Sequence, residues 1–184
     1  MLAVSCDTGT GGGWRAVRRD RETVRGMRAS APVPDPAVEA CAYAAVAAHL
    51  RGSFSDIGLV LEDTFDTHPV EVVLDAVLAA CVEQLGTLAN AVQEQPADLA
   101  QLLLAEASDA QDDDLLPRLL AAVGAQIRGD YDTRALLLDP GGDPKTLVKA
   151  GVATLAAVMA WVAGAVGGDP AEQAAATCLA LSRR

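Results

Sequence analysis

Aromatic side chains are nearly absent: two Trp, two Tyr and two Phe make up 3% of the 184 residues. A core of this composition has few large anchors and must be assembled from Ala, Leu and Val, which lets helices approach closely. Lysine is as scarce, with Lys145 and Lys149 the only two. That Arg bias, with the excess of Ala and Gly, points to a high-GC bacterial coding sequence. Only two histidines are present, so His-based general acid–base catalysis has few candidates. There is no P-loop, no dinucleotide fingerprint and no nucleophile elbow. No catalytic residue and no cofactor is therefore assigned. A charged n-region followed by a sustained apolar h-region is also missing, so the N-terminus does not read as a signal peptide.

The four cysteines, at 6, 41, 81 and 178, are widely separated and form no C-x-x-C pair. Three fall on expected apolar helix faces, which favours buried, reduced thiols in a cytoplasmic protein over disulfides or a zinc site. Long alternating β-branched runs are lacking too. What remains favours helix, since Ala and Leu dominate and 51% of the chain is hydrophobic, ample for one core.

The net charge is −11 and unevenly spread. Residues 1–34 hold six Arg against three acids, a net of +3, which leaves 8 basic and 22 acidic groups, a net of −14, for residues 35–184. A polyanion needs a cationic surface to displace its counterions, so nucleic acid and anionic membranes are poor partners for this body, and a helix-turn-helix role is disfavoured.

Residues 1–34 are expected to form a disordered arm: Gly9 and Gly11–Gly13 do not hold a helix, and Pro32, Pro34 and Pro36 break its far end. Residues 15–28 form a basic stretch that reads as a short helix able to stick to nucleic acid or to the acidic body. The abrupt change in composition also fits Met27 as the true start, with residues 1–26 being translated upstream sequence. An intact N-terminal mass of the native protein separates these readings.

From residue 35 onward a single α-helical domain is expected. Asp35-Pro36 opens a helix to about Arg51, with Asp as cap and Pro in the first turn. A shorter helix capped by Ser53 or Ser55 runs to about Asp63. The stretch 67–95 organises the chain: Val73, Val77, Cys81, Leu85, Leu88 and Val92 share one helical stripe, widened by Val70, Leu74, Leu78 and Val82. Pro96 opens the next helix, to about Ala107. Further helices follow at 115–128 and 133–138, at 144–166 behind Asp143-Pro144, and from Pro170 to about Leu181. The expected fold is an all-α compact bundle of five to eight helices.

Three acidic groupings invite a functional reading. Asp63, Asp66 and His68 sit in the densest run of metal-capable side chains, but without E-x-x-H, H-E-x-x-H or calcium-loop spacing; capping of the next helix by Asp66 or Thr67 explains the same residues. Asp112–Asp114 resemble the start of a magnesium-binding D-D-x-x-D run, yet Leu115-Leu116 follow. Asp130-Tyr131-Asp132 is a D-x-D tripeptide that also suits helix capping.

Residues 150–168 carry no charge and would pass a hydropathy scan for a membrane span. Ala and Gly supply much of that signal, and a buried central helix is preferred. Ala156, Ala160, Gly164 and Gly168 form a four-residue ridge suited to close backbone approach, and Trp161 reads as a core or interface residue. Finally, Ala91-Val92-x-x-x-Pro96-Ala97 recurs as Ala165-Val166-x-x-x-Pro170-Ala171, either a diverged helix-pair duplication or two helix junctions under the same local constraint.

The expected function is a non-enzymatic interaction or regulatory module that self-associates as a homodimer or binds another protein. The rivals are a metal-dependent enzyme or small-molecule binder using the acidic groups, and membrane association through residues 150–168.

Overall fold

The computed structural model describes residues 35–110, 115–138 and 143–184. Among them are eight α-helices and no strand: α1 (Pro36–Leu50), α2 (Phe54–Thr67), α3 (Val70–Val92), α4 (Pro96–Ala110), α5 (Leu115–Ile127), α6 (Tyr131–Leu138), α7 (Pro144–Val166) and α8 (Pro170–Leu181). The expected arm at 1–34, the Met27 start and the Asp112–Asp114 run lie outside the described residues.

Two helices, behind Asp35 and Asp143, begin as the sequence implies, and the helix behind Asp169 begins in the same way. The Asp35 side chain accepts from the Ala37 N–H, Asp143 from Lys145, and Asp169 from both Ala171 and Glu172, each with Pro in the first turn. A carboxylate there satisfies N–H groups that have no partner inside the helix and faces the positive end of the dipole.

One expected junction is different. Neither Asp66 nor Thr67 caps α3, because α2 continues through Thr67, whose hydroxyl donates back to the carbonyls of Asp63 and Thr64 at 3.2 and 3.1 Å. The break comes at His68, extended at φ −134°, ψ 144°, since the Pro69 ring disfavours helical conformation in the residue before it. At the other end α3 stops at Val92, three residues short of Gln95, with Gln93 left-handed at φ 60°.

The two longest helices, α3 and α7, pack along each other and form the centre of the bundle. Helix α1 leans on this pair with α2 and α8 beside it; α5 leans on it with α4 and α6 beside it. The stripe of α3 faces inward as its spacing predicts: Val73, Val77, Leu78, Cys81 and Leu85 are fully buried, whereas Val92, at the helix end, is exposed. Each such aliphatic residue contributes about 1.5–3 kcal/mol relative to exposure.

The small-residue ridge on α7 does not mediate the closest approach. Ala156 is buried, but Ala160, Gly164 and Gly168 are exposed. A close contact of α7 with α3 falls instead at Gly151, where an added Cβ would lie 3.0 Å from Cγ1 of Val77. The ridge is turned outward because Leu155, Val158, Met159 and Val162, all buried, claim the inner face. Trp161 is partly buried and packs against the core. Two buried hydroxyls are satisfied locally: Thr64 donates to the Val60 carbonyl and Thr154 to that of Ala150.

Candidate functional site

The acidic run singled out by the sequence lies at the C-terminal end of α2. Asp63 and Asp66 are exposed on the outer side of α2, and His68 is half-buried in the extended residue beyond it. Glu62 from the same run forms an ion pair with Lys145 at 3.3 Å, and Lys145 Nζ also lies 4.9 Å from the centre of the Phe65 ring. Asp130 and Asp132 are exposed. Asp130 caps α6, accepting from the Thr133 N–H at 3.1 Å. Hydrogen bonds from Thr133 hold its carboxyl below the usual carboxylate range. Among the described residues, no group of three or more His, Cys, Asp or Glu side chains could hold a metal ion.

Two other features are built by the tertiary structure. The first joins α1 to α3. Tyr43, fully buried, receives a 2.9 Å hydrogen bond at its phenolic oxygen from Gln84 Nε2. Burial pushes the Tyr43 hydroxyl well above its ordinary range. One turn earlier on α1, the half-buried Glu39 carboxyl lies within electrostatic reach of the Glu83 carboxylate. Burial first, then the neighbouring Glu83 charge, raise Glu39 above its ordinary value, while the Arg184 guanidinium opposes both.

The second feature is a cleft of about 150 Å³ between α4, α5 and α6. Its floor is apolar, from Ala100, Leu104, Leu120 and Leu137. Arg128 closes one side, its guanidinium lying against α5 where Gly124 leaves room: an added Cβ there would stand 3.3 Å from Nη1. That guanidinium donates no hydrogen bond to any described residue. Arg118 donates to the Leu137 carbonyl, and Arg134 pairs with Asp75 of α3, so α6 is fastened to both α5 and α3.

The buried thiol of Cys81 belongs to neither feature. Burial pushes it up to about 12, which keeps it protonated and unreactive.

Sequence reasoning missed both features. Glu39 and Tyr43 are separated from Glu83 and Gln84 by more than forty residues, and Gly124 reads as an ordinary helix residue until Arg128 is seen to fold over it. The one early sign was Tyr43, an aromatic amid the alanines of α1.

The fold and these sites define an acidic all-α bundle with an apolar cleft between α4, α5 and α6 and a part-buried polar link between α1 and α3. Compared with protein-family models, with curated proteins and with solved structures, the chain matches none.

Proposed function

We propose that this chain is a non-enzymatic helical interaction or regulatory module that self-associates in the bacterial cytoplasm. The observation that carries this reading is on α2, where Phe54 is 72% and Leu59 is 66% exposed. A chain with only two Phe fills its core with Ala, Val and Leu and leaves one of its largest apolar side chains outside. Phe54 rests edge-on against His49 with ring centroids 6.0 Å apart, so its outer face is free to enter an interface. Burying it there recovers about 1.5–3 kcal/mol. The occupant proposed is a second copy of this chain. Sedimentation velocity across a concentration series tests it: a dimer is expected, reduced to monomer by Phe54→Ser with Leu59→Ser at unchanged helix content. A wild-type chain that stays monomeric at every concentration sinks the reading.

A second reading rests on the cleft. An apolar floor beside the Arg128 guanidinium suits a small carboxylate with a short hydrocarbon body, and a cavity near 150 Å³ holds a ligand about the size of benzene. Titration with hexanoate, followed by backbone amide shifts around Gly124 and Thr133, tests it.

Helices α3 and α7 are both long and apolar enough to cross a membrane, and more than half of each apolar window is buried inside the bundle. That burial supports reading them as core helices. Recovery of the native protein in the high-salt membrane pellet would instead favour the membrane alternative.

A further inference from the structure

The main helix contacts are restored when the first four helices are exchanged for the last four, the slight α2–α3 contact aside. Helix α1 packs on α2, α3, α7 and α8; α5 packs on α6, α7, α3 and α4, and α3–α4 is matched by α7–α8. The central α3–α7 pair maps onto itself. A simple tandem row does not behave this way, because exchanging its units does not restore the same neighbours. Reciprocal exchange is the property of a two-fold axis.

The sequence carries the same relation. Residues 44–52 read AAVAAHLRG and residues 121–129 read AAVGAQIRG, with six of nine identical at a step of 77. Both blocks end a helix in the same way. Gly52 and Gly129 are left-handed, at φ +73° and +69°, a conformation glycine enters without strain. The N–H groups of residues 51, 52 and 53 donate to Ala47, His49 and Ala48 at 3.2, 2.9 and 2.9 Å. Those of residues 128, 129 and 130 donate to Gly124, Gln126 and Ala125 at 3.2, 3.0 and 2.9 Å. Helices α3 and α7 each have 23 residues, begin 74 positions apart, and bury their residues at matching places. The Ala-Val-x-x-x-Pro-Ala echo is the end of this longer repeat.

We infer that the chain is a fused dimer: two copies of one four-helix unit, residues 35–110 and 111–184, paired about a two-fold axis through the α3–α7 crossing. The surface on which each half rests is self-complementary in origin, and its fitting partner is a second copy of the same unit. A shift of 74 carries Val77 onto Gly151, and these two equivalent positions meet each other at the crossing. Only residues on an axis contact their own equivalents. Two ion pairs likewise join the short helix of one half to the long helix of the other: Glu62 of α2 to Lys145 of α7, and Arg134 of α6 to Asp75 of α3.

Divergence at the axis has made the halves unequal. Two valines would collide where Val77 and Gly151 now fit, and two glycines would leave a hole. The pairing is a knob and a hole, so each half selects the other over its own copy.

The test uses the full chain and thermal unfolding followed by circular dichroism. Val77→Gly and Gly151→Val each are expected to lower the melting temperature by roughly 5 °C or more. The double exchange, which turns the knob and hole around the axis, is expected to return to within about 2 °C of wild type. Losses that add in the double variant, or single variants without effect, overturn the inference. A second arrangement keeps residues 1–34 first and reverses the halves, 111–184 followed by 35–110. It is expected to fold with wild-type helix content and one cooperative transition; an unfolded or aggregated product counts against the two-fold relation.

Discussion

An added Cβ on Gly151 of α7 would stand 3.0 Å from Cγ1 of Val77 on α3, and 3.8 Å from Cδ1 of Leu74. The fit of the two central helices at this point therefore depends on a missing side chain at one position and a β-branched one opposite. Gly151→Leu is expected to cost about 1–3 kcal/mol through overpacking, read as a lowered denaturation midpoint at unchanged slope. Ala at the same position partly offsets the tighter contact, because it removes a glycine from a helix interior, worth about 1 kcal/mol.

Tyr43 links α1 to α3 by filling volume and by accepting from Gln84. Removing the hydroxyl in Tyr43→Phe is expected to lower stability by about 1 kcal/mol, the net worth of one hydrogen bond. Tyr43→Ala leaves a ring-sized cavity in an otherwise aliphatic core and is expected to cost about 3–5 kcal/mol. Urea unfolding of the two variants separates the polar part of the link from the packing part.

Glu39 sets a pH dependence whose sign follows from its environment. Its carboxyl is raised above the ordinary value of 4.5 by burial and by Glu83, so the folded state binds the proton more tightly than the unfolded state. The stabilisation is fully present below pH 4.5 and is lost as the pH rises through the folded value. Glu39→Gln, which imitates the protonated carboxyl, is expected to raise the melting temperature near pH 7 and to change it little at pH 4. Equal effects at both pH values would show that the charge of Glu39 is irrelevant to stability.

Asp169 accepts from the N–H groups of Ala171 and Glu172 at 2.7 and 3.1 Å, and α8 has one face on α1. Asp169→Ala is expected to cost about 1 kcal/mol, with amide hydrogen exchange accelerating first at the start of α8.

Cys81 is fully buried on α3, and its thiol is pushed up to about 12 by burial. Alkylation by iodoacetamide at pH 8 is expected to spare Cys81 in the native protein and to modify it once the protein is denatured. Rapid native labelling of Cys81 would mean that the α3–α7 core opens locally.

Local chemistry determined much of this protein. The Asp-Pro openings at 35, 143 and 169, the inward stripe of α3 and the all-α class follow from spacing and from groups a few residues apart. The junction at Thr67–Pro69 was legible only in part: proline steric demand marked the break, while the choice between capping α3 and extending α2 depended on packing. Residues 63, 66 and 68 are close in sequence, and 63 and 66 share one side of α2, but with the extended His68 they form no group of three able to hold a metal ion.

What the tertiary structure decided lies between helices. Which face of α7 turns inward is fixed by Leu155, Met159 and Val162 filling the core, and this leaves Ala160 and Gly164 outside. The contact of Val77 with Gly151, the Gln84–Tyr43 hydrogen bond and the cleft beside Arg128 join residues from different helices or across a turn. Side-chain periodicity sets each helix face only relative to its own axis. The rotation and spacing of one helix against another come from packing the whole core at once, and that is where the two-fold pairing of the halves became visible.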